Sequence, residues 1–223
     1  SLVLESKRDY VRLYGFDTAF WPGRERDAFP AVVAQLKEHL SDLAGYDHAL
    51  AQEEGSVEAY ERAAGWYRRY LDYFPEDPYS AQRSFILAEI YEELGRYGEA
   101  TDQFLDAAYS YGPHEQAADA AYAAVLVARL HAGQLEGDLL TAWQARTVEE
   151  SLRFAENFPA HPEAAPVRTK VAEELFAAGE LDRAVTVAGL VVTMQPPAST
   201  TVASPVRSAA HATQAAIASA SVP

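Results

Sequence analysis

At 223 residues the chain can bury a substantial core, either as one large domain or as one continuous repeat array. Its formal net charge of -15 argues against phosphate backbones and anionic lipid surfaces as partners. The absence of cysteine excludes disulfides, thiolate metal sites and cysteine nucleophiles.

The apolar share is 49%, much of it alanine, and long β-branched runs with period-two alternation are missing, so the expected fold class is all-α. No apolar run approaches the ~20 residues that span a bilayer, so direct membrane insertion is not expected. Starting at Ser1, the chain reads as a piece of a longer protein.

In chain order, residues 2–14 predict a short amphipathic helix carrying Leu2, Val3, Tyr10, Leu13 and Tyr14, with Gly15 as its stop. A loop containing Phe20, Trp21, Pro22 and Gly23 follows, its aromatics expected to dock on a neighbouring helix. Pro30 suits the first turn of a helix running to about residue 53, with Val33, Leu36, Leu40, Leu43 and Leu50 inward; Gly45 is a point where it could split. Ser56 caps the next helix, 57–74. That helix has two apolar stripes: Tyr60, Ala63, Ala64, Tyr67 and Leu71 on one side, Trp66, Tyr70 and Tyr73 on the other. Two stripes demand neighbours on two sides, the situation of an inner helix in a stack. Phe74-Pro75-Glu76-Asp77-Pro78 breaks the chain.

Residues 79–112 form a helix-turn-helix. Leu87, Ala88 and Tyr91 share a stripe, Gly95 stops the helix, and Tyr97, Ala100, Phe104 and Ala107 open the second stripe. After Pro113 a helix over about 115–132 carries Ala118, Ala121, Tyr122, Val125, Leu126 and Leu130, and another spans 139–158 with Leu152, Phe154 and Phe158. Phe158-Pro159-Ala160-His161-Pro162 then repeats the earlier break. Val171, Ala172, Leu175, Gly179, Leu181, Ala184 and Ala188 follow in the order of Leu87, Ala88, Tyr91, Gly95, Tyr97, Ala100 and Phe104, offset by 84 residues without a gap. This is internal repetition at two units per period. Residues 195–223 change character, with no acidic or aromatic residue. They suit a frayed or capping end, and 206–219 allow a weak alanine-rich helix where the first helix of another unit would stand.

The large–small alternation around Gly95 and Gly179 resembles that of tetratricopeptide repeats, helix-turn-helix units of about 34 residues. Residues 78–112 resemble them closely and 162–192 moderately; 31–75 and 115–159 fit with lengthened turns. Ser84 stands where the family commonly has tryptophan. The Phe-Pro-x-x-Pro junctions, with Ala88-Glu89-Ile90-Tyr91-Glu92-Glu93-Leu94-Gly95-Arg96-Tyr97 after the first, look most like repeats of bacterial periplasmic and outer-membrane-associated proteins. The resemblance implies a right-handed superhelical α-solenoid of about four helix pairs over 31–194, preceded by a helix and aromatic loop at 1–30 and followed by the segment 195–223. It also implies a non-catalytic protein–protein interaction scaffold, in the periplasm or at the outer membrane, as part of a longer envelope protein. In the family the first helices of each unit line the concave groove, which makes Ser84, Glu89, Glu92, Glu93, Asp119, Tyr122 and Arg129 groove-facing candidates.

Catalytic constellations are not found. No Gly-x-Ser-x-Gly elbow or phosphate-cradling glycine loop occurs. His114-Glu115 opens a zincin spacing that Ala118 leaves incomplete, and His161-Pro162-Glu163 has a deaminase spacing without the cysteines. His39 and His48 do not share a helical face, so no shared metal is expected, and with Asp47 they read as surface residues. No cofactor and no metal is expected. Arg62, Trp66, Arg69, Tyr70 and Tyr73 combine arginine with aromatics, as binding hot spots do; the competing reading is that the rings fill a joint between helices while the arginines snorkel outward. The acidic balance points to a basic or neutral peptide segment as partner. A self-assembling element, or an accessory subunit of an envelope complex, is the alternative, with an unrecognised helical active site behind it.

Overall fold

The computed structural model describes residues 2–194, so the segment 195–223 lies outside the described residues. The described part contains nine α-helices and no strand. They are α1 (Leu2–Tyr14), α2 (Pro30–Glu54), α3 (Val57–Tyr73), α4 (Ser80–Glu93), α5 (Tyr97–Tyr109), α6 (Ala117–Ala132), α7 (Gly137–Asn157), α8 (Ala164–Ala177) and α9 (Leu181–Met194). The chain divides after Val167 into two compact units.

In the first unit α1 packs on α2, and each helix from α2 to α7 packs on the next in chain order. Consecutive hairpins stacked on their chain neighbours define an all-α solenoid of tetratricopeptide-like repeats: α2–α3, α4–α5 and α6–α7, with α8–α9 forming the fourth helix-turn-helix. One apolar cluster runs through the unit from Ala44 to Val167, with Tyr67, Leu87, Ile90, Phe104 and Phe154 as its large members. A second, around Val11, Leu36, Leu40, Leu43 and Tyr70, joins α1 to the first pair. In the second unit Val171, Leu175, Ala184 and Val187 are buried.

The 84-residue period is written into the backbone as well as the side chains. Phe74 and Phe158 end their helices at φ -131, ψ 56 and φ -124, ψ 56, each donating its N–H to the carbonyl four residues back. The Asp77 and His161 amides then bond the carbonyls of Phe74 and Phe158, and those of Ser80 and Ala164 bond the carbonyls of Asp77 and His161. Gly95 and Gly179 adopt φ of +69 and +80, where a Cβ would be strained. Around each, two bonds close a Schellman motif, Gly95 to Glu92 and Arg96 to Tyr91 in one, Gly179 to Phe176 and Glu180 to Leu175 in the other. Arg96 pairs with Glu99, while the same two positions carry Glu180 and Arg183 at 2.7 Å, the same ion pair with its ends exchanged.

Two expectations are corrected. Helix α2 runs unbroken through Gly45, because Leu40, Leu43, Ala44, Asp47 and Ala51 bury one face on both sides of it; that packing outweighs the roughly 1 kcal/mol that a helical glycine costs. In α1 the buried residue is Val11, while Leu2, Val3 and Leu13 are exposed. Gly15 owes its identity to close approach, since a Cβ there would lie 2.8 Å from the Tyr73 hydroxyl and 2.9 Å from an Asp17 carboxylate oxygen. The loop aromatics do dock: Phe16 packs on Tyr73 and Phe74, and the Trp21 indole N–H donates to the Tyr14 carbonyl at 2.8 Å.

Candidate functional site

Helix α3 starts at Ser56, whose hydroxyl accepts from the Ala59 N–H at 3.3 Å. Its polar side chains converge on two carboxylates. Asp47 of α2 is 0% exposed, and its oxygens accept from Arg62 Nε at 3.1 Å and Trp66 Nε1 at 2.9 Å. Arg8 of α1 approaches the same carboxylate at 3.6 Å. Arg8 and Arg62 keep 39% and 45% of their side chains in water, so only the anion bears full desolvation. Such a carboxylate is tolerable inside the fold only because its donors satisfy it.

The second carboxylate is Asp17, which accepts from the Tyr73 hydroxyl and lies 3.9 Å from Arg69. The Tyr73 bond, assisted by Arg69, holds the Asp17 carboxyl below its ordinary range; burial, and then the same bond, push the Tyr73 phenol up to about 12. Tyr70 is fully buried, with the Arg83 guanidinium 3.9 Å above its ring. Arg62, Trp66, Arg69, Tyr70 and Tyr73 thus meet at the seam where α1, the aromatic loop, α2 and α4 join α3.

The residues of α4 and α6 fall into two groups. Ser84 is wholly inside, where its hydroxyl donates to the Gln103 carbonyl at 3.2 Å and accepts from the Gln103 amide at 2.6 Å. A serine at this position ties α4 to α5 and presents nothing to a groove, because small size there brings the two helices together. Glu89 and Glu92 are half-buried and Glu93 is exposed. Burial, then the neighbouring Glu93 charge, raises the Glu92 carboxyl above its ordinary value. On α6, Asp119 is exposed and lies 3.4 Å from His161 Nε2, while Tyr122 and Arg129 are half-buried. The Tyr122 ring sits 5.5 Å from Phe154 and 5.3 Å from His161, and burial raises its phenol.

Leu126 and Leu130, one turn apart on α6, are exposed, whereas Ala117, Ala120, Ala121, Ala124, Val125, Val127 and Ala128 are buried. The sequence suggested the opposite for the two leucines. Alanines allow close helix approach on the packed faces, leaving larger side chains outside. The signal was present in the count, since seven small residues already fill the packed faces. Asp47 and His48 are also corrected, for both are buried, and Asp47 falls on the stripe of Leu40, Leu43, Ala44 and Ala51.

Two further histidines, His114 and His161, are occupied in turns. His114 Nε2 lies 2.8 Å from the Ala107 carbonyl, and His161 Nδ1 accepts from the Glu163 N–H at 3.2 Å. Among the described residues no group of three or more His, Asp or Glu side chains is arranged to hold a metal. No helix of the described part is long and apolar enough to cross a membrane.

No family model matches the chain, and no curated protein matches it. Among solved structures it is similar to one from Podosopora anserina described as a kinesin light chain with nearly identical TPR-like repeats, at 14% identity, covering 86% of this chain and 94% of that one, with a TM-score of 0.41. A substituted form of that protein matches with the same coverage and TM-score at 15% identity.

Proposed function

We propose that the chain is a non-catalytic protein–protein interaction scaffold, a segment of a longer bacterial envelope protein in the periplasm or at the outer membrane. Its partner is a protein or peptide segment of basic character carrying aliphatic side chains. The observation that supports this reading is how the polar groups are divided. Those with chemistry to offer are spent on holding helices together, around Asp47, Asp17 and Ser84. Glu93, Asp119, Leu126 and Leu130, on first helices of their pairs, face solvent. Exposed acids together with exposed leucines suit a partner offering lysine or arginine and an apolar anchor. The envelope location rests on the resemblance of the Phe-Pro-x-x-Pro junctions.

Anisotropy titration with lysine- and leucine-containing peptides at two salt concentrations tests the proposal. Binding should weaken as salt rises and should fall in a Leu126→Ser, Leu130→Ser variant. Preference for glutamate-rich peptides, or affinity indifferent to salt, would sink it.

A further inference from the structure

The two Phe-Pro-x-x-Pro breaks share a backbone and differ in the side chain that caps it. At the first, the Asp77 carboxylate accepts from the Tyr79 N–H at 2.9 Å. At the second, the 84-residue register puts His161 in the place of Asp77, and its Nδ1 accepts from the Glu163 N–H at 3.2 Å. The bond is the same and the acceptor is different. A carboxylate stays an acceptor between about pH 5 and 8. An imidazole takes up a proton within about that range, and the nitrogen it occupies no longer accepts.

The surroundings change with the residue. Asp77 is paired with Lys37 and, at 3.8 Å, with Arg83. The register carries those two positions onto Ala121 and Val167, both buried. The cations that hold the acid at the first break are replaced by apolar side chains at the second, a setting that suits a neutral imidazole. The His161 side chain is 12% exposed, with its ring 5.3 Å from that of Tyr122 on α6 and 5.1 Å from that of Phe154 on α7.

Because Nδ1 accepts, the neutral ring carries its hydrogen on Nε2, which lies 3.4 Å from Asp119 Oδ1. The Asp119 side chain is 72% exposed. Also around the ring are Glu163, Tyr122 and Arg129: the Tyr122 phenol interacts with the Glu163 carboxylate and with the Arg129 guanidinium.

We propose that His161 is a pH-sensitive latch at the break before α8. A proton taken from solvent onto Nδ1 releases the Glu163 amide and leaves a charged ring held by Asp119. Entry of the chain into α8 loosens in acid, while the equivalent entry into α4, capped by Asp77, does not.

Solvent-exchange NMR on the full chain tests it, with the Tyr79 amide as internal reference for the intrinsic effect of pH. From about pH 8 to about pH 5, the exchange rate of the Glu163 amide relative to that of Tyr79 should rise about fivefold, the loss of one hydrogen bond. His161→Asn keeps an acceptor oxygen and cannot charge, so there the ratio should stay flat. Asp119→Asn removes the anion that the charged ring gains, and should move the rise to lower pH. A flat ratio in the unaltered chain overturns the proposal. So does an equal rise in His161→Asn, or a rise that Asp119→Asn leaves in place.

Discussion

The first and second helix pairs are the same hairpin held by different means. In α2 the buried stripe is Leu40, Leu43, Ala44 and Asp47; in α4 it is Ser84, Leu87, Ala88 and Tyr91, at identical spacing. The fourth position is an aromatic in α4 and a leucine in α8 (Leu175), and the 84-residue register carries Asp47 onto His131 of α6. Only in α2, among the described pairs, is it an acid. That acid draws Arg62 and Trp66 from its partner helix and Arg8 from α1. The contrast teaches that the hairpin accepts either packing or charge at this position, provided the neighbours match. Charge also adds direction, because a carboxylate with several donors specifies where α1 must lie, which an apolar contact does less sharply.

The contrast can be broken from either side. Tyr91→Asp removes a buried ring and puts an acid where the nearby Arg96 is already paired with Glu61 and Glu99, and should cost more than about 3 kcal/mol in a urea melt. Asp47→Leu makes the first pair resemble the fourth. It should cost about 1–3 kcal/mol, because Trp66 loses its acceptor while the half-exposed Arg8 and Arg62 can turn to water. Equal losses in the two variants would remove the distinction between the pairs. The glycines sharpen it further. Gly95→Ala forces a side chain into the left-handed region and should destabilise by about 1–2 kcal/mol. Gly45→Ala, in open space within α2, should stabilise by about 0.5–1 kcal/mol. Thermal melts of the two variants should move in opposite directions.

The smallest expected effect concerns acid. His48, beside Asp47 and against the rings of Tyr60 and Tyr67, is held below its ordinary 6.5 by burial. The unfolded chain therefore takes up a proton that the folded chain resists. Stability present above pH 6.5 should decline as pH falls below it. His39, lowered chiefly by burial and then by Lys7, acts with the same sign. His48→Leu should flatten part of the fall in urea midpoint between neutral and mildly acidic buffer; an unchanged slope would count against the assignment.

The repeat architecture was legible because it is written in spacing: Gly95 and Gly179 mark the turns, and the two Phe-Pro-x-x-Pro breaks mark the joints. Less legible was which way individual residues face where composition is ambiguous. On α6 small and large apolar residues alternate around the whole helix, so periodicity alone did not separate the covered alanines from Leu126 and Leu130. On α3 the rings were correctly read as two stripes. The purpose of Arg62 and Trp66, however, depends on Asp47, an acid on the neighbouring helix that counts as polar until its register with Leu40, Leu43 and Ala51 is followed. Ser84 was harder still, since its burial depends on Gln103 reaching back across the hairpin.

The chain's three tryptophans are placed as separate reporters. Trp21 donates to the Tyr14 carbonyl in the aromatic loop, Trp66 to buried Asp47 in the first pair, and Trp143 to the Ala128 carbonyl in the third, edge-on to His131. Each indole is therefore tuned by a different quencher and a different local field. Emission from single-tryptophan variants would resolve whether the array comes apart all at once or pair by pair, with no label added.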